Sequence, residues 1–367
     1  MTNSADTVPA SVDPGVPPRG PKALMSIQYL RGVAALGVVA WHAQSQMGLG
    51  ETQVLQAGIE VFFIVSGYVM WLILSERPVS PATFLRKRIT RVVPLYWTLT
   101  TVILVMLLVA PGMLQSTRFD PVHTIMSYLF LPWPNPVAES GLKPLMIPGW
   151  TLNYEMFFYA LLAAALALPA RWRAGFTVGT LSLLGAMSLL PLGPIAHFYA
   201  SPFMIEFVLG IGLAMVLPRL PLAVRRLGRW SFGLGLILLL AVGSAPGAEQ
   251  FRLVTFAIPA TLIVGGLVAW EETGGLPRLS LLKMLGDASY PLYMLHPILL
   301  SAMAQAWRAF GATDLSPWVY VLVSLIVASG VGYLAHVTLE RPLIKMFQRP
   351  PRRPSAAGAA AAQGAQP

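Results

Sequence analysis

The chain has 367 residues, of which 56% are hydrophobic and 11% are charged, and its net charge is +10. Soluble domains carry about 25% charged residues, so this composition excludes a soluble domain. It predicts an all-α, polytopic transmembrane helical bundle, because a bilayer requires runs of about 17–25 apolar residues. The absence of cysteine excludes disulfides, thiolate metal ligands and an acyl-cysteine intermediate.

The composition changes near both ends of the chain. Residues 1–23 are rich in proline and small polar residues, and residues 347–367 form a low-complexity stretch. Both are predicted to be disordered cytoplasmic tails. Residues 24–346 are predicted to form one membrane domain, because the sequence shows no internal repeat and no second domain.

Ten apolar segments predict about ten membrane spans. If the N-terminus is cytoplasmic, most of the 25 Lys and Arg residues fall on the cytoplasmic side, so the positive-inside rule predicts two cytoplasmic termini. The basic excess then reflects topology and excludes a nucleic-acid surface. The predicted segments are 27–46, 58–75, 92–110, 150–168, 175–190, 199–217, 230–244, 252–270, 288–307 and 317–339.

The first apolar segment contains two ionisable residues, Arg31 and His42. An ionisable residue inside a membrane span is costly and marks a functional site by default. A spacing of eleven residues returns a helix to within ~20° of its starting direction and covers ~16 Å along its axis. We therefore expect both side chains on one helix face, lining a tunnel with Arg31 near the inner surface and His42 near the outer one.

A second group of arginines lies near the inner surface. Arg88 and Arg91 are at positions i and i+3, which makes them neighbours on one helix face. Arginine pairs hold phosphate groups through charge-assisted hydrogen bonds. The alternative is that they are only positive-inside residues, and this is the interpretation that we favour for Arg86 and Lys87.

Other polar residues are predicted within the spans. His42 can take a proton from a hydroxyl group at neutral pH, especially if a carboxylate orients its ring, and Glu60 or Glu155 would supply that carboxylate near the outer surface. Asn153 shares a segment with Glu155, and His296 lies about two turns into the ninth segment. The alternative for His42 is a structural hydrogen bond between packed helices, and the alternative for His296 is that the proline after it only marks a helix kink.

Six motifs, taken in order, resemble the acyltransferase-3 family of bacterial membrane O-acyltransferases, and most of all its exopolysaccharide acetyltransferase subgroup. The resemblance covers residues 24–346. The motifs are YLRGVAALGVVAWHA (29–43), AGIEVFFIVSGYVM (57–70), FLRKRITRVVPLYW (84–97), WTLNYEMFFY (150–159), ASYPLYMLHP (288–297) and LERPL (339–343).

This resemblance implies a multi-pass protein of the bacterial inner membrane that moves an acyl group, usually acetyl, from cytoplasmic acyl-CoA to a sugar hydroxyl group. The acceptor would be a cell-surface polysaccharide or its polyprenyl-linked glycan precursor. Acyl-CoA would be a substrate, and no bound cofactor, metal or nucleic acid is implied. The family's motifs correspond to Arg31 and His42 in the first span, Glu60 in the second, and Arg88 and Arg91 before the third.

The resulting hypothesis assigns catalysis to His42, Glu60 and Arg31. His42 would act as general base on the acceptor hydroxyl, and Glu60 would orient its ring. Arg31 would assist at the tunnel mouth, where Arg88 and Arg91 bind the phosphates of acyl-CoA. An acyl-histidine relay is an alternative to direct transfer.

Three further residues are expected to contact substrate: Asn153, Glu155 and His296. Asn153 or a backbone amide would stabilise the oxyanion. The family's fourth-span motif often carries two adjacent acidic residues, and here Met156 replaces the second one. This departure argues against a carboxylate pair at Glu155.

A transporter or flippase of a lipid-linked glycan is the alternative function, because it too would carry polar residues inside its spans. Such proteins often have repeated halves with broken helices at corresponding positions, and the sequence shows no convincing correspondence of this kind. Glu206 and Glu340 are interpreted as structural residues.

Overall fold

The computed structural model describes residues 24–50, 52–76, 78–110, 112, 117–137, 141–245 and 247–348. Within these ranges all regular secondary structure is helical, which confirms the predicted all-α class. The predicted tail 1–23 lies outside the described residues, as does the tail beyond residue 348. The last helix includes Phe347 and Gln348, which the sequence analysis assigned to the C-terminal tail.

The α-helices are numbered here in chain order. They are α1 Met25–Gln46, α2 Gly58–Glu76, α3 Pro81–Val109, α4 Pro121–Tyr128, α5 Trp150–Leu166, α6 Ala170–Met187, α7 Pro194–Tyr199, α8 Phe203–Val216, α9 Leu222–Arg225, α10 Gly228–Gly243, α11 Ile258–Glu272, α12 Ser280–Asp287, α13 Ser289–Ala309, α14 Pro317–Ala335 and α15 Arg341–Gln348. Short π-helical turns precede α11 at Leu253–Ala257 and α15 at His336–Glu340.

Each of the ten predicted apolar segments overlaps an α-helix. In the described part of the chain, five helical stretches are long and apolar enough to cross a membrane: Gln53–Ser75, Pro81–Val109, Pro194–Arg219, Leu253–Glu272 and Pro317–Gln348. The chain is therefore a membrane protein with several spans. A total of ten spans and the cytoplasmic position of both termini stay predictions.

Helix α1 lies at the centre of the bundle, packed against α2, α11, α12, α13 and α14. The first amide groups of a helix have no intrahelical partners. Here the carboxylate of Glu271, at the end of α11, accepts hydrogen bonds from the backbone amides of Met25 (2.8 Å) and Ser26 (2.7 Å). A residue distant in sequence thereby caps α1 and fixes the depth of its start.

Helix α3 begins earlier than the predicted apolar segment at residue 92. Ser80 caps it by accepting a hydrogen bond from the Thr83 amide, and Pro81 occupies its first turn, an arrangement typical of a helix start. Arg88 and Arg91 consequently lie inside the regular helix, and their side chains project from a rigid segment.

Helices α2 and α8 touch backbone to backbone. A Cβ atom at Gly210 would overlap the carbonyl oxygen of Ile64, and one at Gly67 would overlap the carbonyl oxygen of Phe207. Small residues at such crossings allow the close approach that drives helix association in membranes. The contact fixes α2, which contributes to the site described below.

Gly210→Ala is expected to destabilise the protein by about 1–3 kcal/mol, because the added methyl group forces α2 and α8 apart. Gly212→Ala on the same helix is a matched control, since a Cβ atom there meets no other atom within 4 Å. Thermal unfolding in detergent, followed by size-exclusion chromatography, measures both. Equal melting temperatures for the two variants would contradict the backbone contact.

Candidate active site

Arg31 and His42 lie on one face of α1, as predicted. Arg31 lines a cavity that is also bordered by Tyr290 and Tyr293 of α13, while the His42 ring packs against His296 of the same helix. Both side chains therefore face α13. The expected ordering along α1, with the guanidinium at one end and the imidazole at the other, follows from this geometry.

The cavity has a volume of about 310 Å³ and lies between α1, α2, α3, α5 and α13. Its wall is mostly apolar. The charged and phenolic side chains that line it are Arg31, Arg88, Arg91, Glu155, Tyr159, Tyr290 and Tyr293. Helices distant in sequence thus bring together the three arginines that the sequence analysis singled out.

Glu155 is the one carboxylate among the described residues that line this cavity. Its Oε1 accepts a hydrogen bond from the Tyr159 hydroxyl and a longer one, 3.5 Å, from Ser66 Oγ. The sequence analysis grouped Glu155 with His42 near the outer surface. The structure instead places it in the arginine-lined cavity, so three guanidinium groups face a single carboxylate and the cavity has a net positive charge.

The histidine pair forms a second part of the site. The ring centroids of His42 and His296 are 5.0 Å apart, and the ring centroids of His42 and Trp41 are 4.4 Å apart. His296 Nδ1 lies 2.6 Å from the carbonyl oxygen of Tyr293. A carbonyl can only accept, so this nitrogen carries the proton and leaves the His296 Nε2 lone pair directed away from it.

That Nε2 atom is buried and has no hydrogen-bond partner in the described structure. The described ring contacts of His42 include a histidine neighbour, and a carboxylate that orients the His42 ring stays a prediction. Tyr293 connects the two parts of the site, because it lines the cavity and its ring centroid is also 5.6 Å from that of His296.

Glu60 does not lie beside His42. Its carboxylate is fully buried and forms an ion pair with Arg252, whose guanidinium group also packs on the rings of Phe203 and Phe256. The structure thus gives Glu60 a cationic partner, and a role for Glu60 in orienting His42 stays a prediction. The physical reason for the pairing is that a buried carboxylate takes a cationic partner when one is within reach, and the segment before α11 brings Arg252 to the start of α2.

Asn153 is buried, and neither its Oδ1 nor its Nδ2 has a hydrogen-bond partner in the described part of the chain. It is adjacent in sequence to Leu152, which lines the cavity, but does not line the cavity itself. An oxyanion role for Asn153 stays a prediction. The described residues contain no group of three His, Asp or Glu side chains placed to hold a metal ion.

Sequence reasoning missed Tyr159, Tyr293 and Arg252. Tyr159 is four residues after Glu155, and this i, i+4 spacing could have indicated their contact. Tyr293 similarly precedes His296 by three residues. The partner of Glu60 is 192 residues away in sequence, and no local pattern signals it.

Comparisons with known proteins identify the family of the chain. Residues 25–337 match the Acyl_transf_3 family, described as an acyltransferase domain. The chain is 32% identical to the exopolysaccharide production protein ExoZ of Rhizobium meliloti (strain 1021) over 298 residues, which cover 79% of this chain and 89% of that relative. It is 27% identical to protein 2 in the picA locus of Rhizobium radiobacter over 187 residues, 47% of this chain and 94% of that relative. No solved structure matches the chain.

Removing the cation from the buried ion pair is expected to be costly. Arg252→Met leaves the Glu60 carboxylate buried without its partner, which typically costs about 3–5 kcal/mol. The double variant Arg252→Met, Glu60→Gln should recover most of this loss, because it removes both charges of the pair. Thermal unfolding of the wild type, both single variants and the double variant measures the coupling.

Acyl-transfer rates of the same four proteins assess the role of Glu60. If the pair is structural, transfer by the folded double variant stays close to that of the wild type. A fully stable Glu60→Gln variant that has lost transfer would return Glu60 to the catalytic group.

Proposed function

The chain belongs to the acyltransferase-3 family, and from that premise we propose that it transfers an acetyl group from cytoplasmic acetyl-CoA to a hydroxyl group of an extracytoplasmic polysaccharide. The observation that carries this proposal is one helix face on which Arg31 borders a cationic cavity and His42 packs in a histidine pair. A donor bound at one end would present its thioester towards a base at the other.

The charge of the cavity supports a phosphate-bearing donor. Three cations, Arg31, Arg88 and Arg91, outnumber the single carboxylate of Glu155. Guanidinium groups in a water-poor site bind phosphate oxygens through strong, often bidentate hydrogen bonds. Glu155 and Tyr159 then act chiefly as a scaffold that holds the cationic groups in place. The phosphates of acyl-CoA match this surplus of positive charge.

The size of the cavity supports a short acyl group. Ligand cavities range over about 300–1,000 Å³, and this one, at about 310 Å³, lies at the small end. An extended pantetheine arm with an acetyl group needs a narrow, mostly apolar passage of this kind. The ~16 Å between Arg31 and His42 along α1 suits the length of that arm.

The proposed reaction is direct transfer. His42 removes the proton of the acceptor hydroxyl as the oxygen attacks the thioester carbonyl carbon, and collapse of the tetrahedral intermediate breaks the C–S bond. The proton held by His42 passes to the departing thiolate, so the products are the ester and CoA with a free thiol. Asn153 and His296 are proposed to assist, Asn153 as a donor to the oxyanion and His296 through its contact with the His42 ring.

The proposed class of acceptor is based on the name of a relative, ExoZ. ExoZ is named as an exopolysaccharide production protein, and this name supports a polysaccharide, or the polyprenyl-linked glycan from which it is built, as the acceptor. The proposed location is the bacterial inner membrane, with CoA entering from the cytoplasm. Incubation of the purified chain with radiolabelled acetyl-CoA and membrane glycan tests the proposal, because incorporation of label requires an enzyme and a transporter or flippase would give none.

His42→Ala is expected to lower transfer by at least about 10²-fold, the contribution of a general base, while acetyl-CoA binding changes little because His42 lies beyond the cavity. Calorimetric binding and label incorporation measure the two effects. His197→Ala is the matched control, since that histidine is exposed on α7. His296→Ala should reduce kcat with a smaller change in the KM for acetyl-CoA. Near wild-type transfer by His42→Ala would remove His42 from the mechanism.

Arg88→Gln and Arg91→Gln are each expected to raise the KM for acetyl-CoA about tenfold or more, because each removes a charge-assisted contact to phosphate. The turnover number at saturation should change less. Arg226→Gln is the control, as Arg226 is exposed in the α9–α10 connection. Steady-state kinetics against acetyl-CoA concentration gives both parameters, and an unchanged KM would exclude these arginines from the donor site.

A further inference from the structure

Arg88 and Arg91 border two cavities. On one side is the cavity of about 310 Å³ described above, and on the other is a cavity of about 260 Å³ between the start of α3 and α15. Because the same two side chains line both, the cavities adjoin at the guanidinium groups. A ligand that occupies both would place an anionic centre there.

The second cavity has a distinct chemical character. Arg86 and Lys87 add two cationic groups to the shared pair, Thr90 adds a hydroxyl group, and Phe347 of α15 adds an aromatic ring that is 53% exposed. No carboxylate lies among the described residues that line it. Such a combination of cations and an accessible ring is suited to a phosphorylated, aromatic group.

The sequence analysis interpreted Arg86 and Lys87 as residues that only set the topology. Positive-inside residues need no particular geometry beyond their position next to a span. In the structure both side chains instead line a concave surface under a separate helix and beside the proposed donor site. Their placement therefore indicates a ligand.

We propose that this second cavity binds the adenosine 3′-phosphate end of the CoA thioester, with the diphosphate held at the junction by Arg88 and Arg91. Arg86 and Lys87 contact the 3′-phosphate, and the Phe347 ring stacks on the adenine. The pantetheine arm then extends into the first cavity. This inference rests on the proposed function, and it identifies which donor groups the enzyme distinguishes.

The phosphate chemistry of this cavity also suits the headgroup of an anionic phospholipid, since α15 forms the end of the candidate span Pro317–Gln348. A headgroup lacks the adenine ring and the pantetheine arm. Substitution of Phe347 and the use of shortened CoA analogues should therefore change the binding of CoA but not the binding of a lipid headgroup. Binding experiments separate the two sources.

The experiment measures binding of CoA, 3′-dephospho-CoA and 4′-phosphopantetheine to the full chain in nanodiscs of zwitterionic lipid, by calorimetry. The wild type should bind CoA about tenfold or more tightly than either analogue. Arg86→Gln with Lys87→Gln should abolish the preference for CoA over 3′-dephospho-CoA. Phe347→Ala should weaken CoA and 3′-dephospho-CoA alike, and none of these variants should change phosphopantetheine binding.

Lys345→Gln is the matched control, because Lys345 is an exposed cation on α15 that does not line the cavity. The inference is overturned if the variants bind CoA as tightly as the wild type. If those variants also retain less anionic phospholipid than the wild type does in nanodiscs that contain it, the cavity is a headgroup site. A wild type that binds neither CoA nor the analogues would instead contradict the donor proposal itself. Size-exclusion profiles verify that every variant is folded.

Discussion

The cost of burying charge among apolar helices constrains this structure more than any other factor. A cation or a carboxylate at the centre of a membrane helix costs about 2.5–3.5 kcal/mol even by lenient scales, so a partner for a buried ionisable group lowers a large cost. Two clusters supply such partners in different ways. One opens into a cavity with a surplus of cations, and the other contains a buried ion pair.

The two clusters differ in their charge and in the open space beside them. Around Glu60 the opposite charges of Glu60 and Arg252 form an ion pair, and the rings of Phe203 and Phe256 pack on the guanidinium. Around Glu155 the arginines border open space and remain in excess. A site with unbalanced charge and volume beside it is preorganised for an anion, whereas a balanced and enclosed pair stabilises the bundle.

The sequence was sufficient to predict the helical class, the ten apolar segments and the common face of Arg31 and His42, because each depends on periodicity within one segment. It was insufficient for the partners of Glu60 and Glu155. Those partners depend on the depth and rotation of one helix relative to another, and such offsets arise from packing, for example the capping of α1 by Glu271. One residue of offset rotates a side chain by ~100° about the helix axis, which is enough to give it a different neighbour.

The glycine contact between α2 and α8 has a mechanical consequence for the active site. At Gly67 and Gly210 these helices touch backbone to backbone, which holds in place the helix that carries Ser66 and Met70. On the other side of the cavity, α13 bears both Tyr293, which lines the cavity, and His296, which packs on His42. A shift of this one helix would therefore alter the cationic cavity and the histidine pair together.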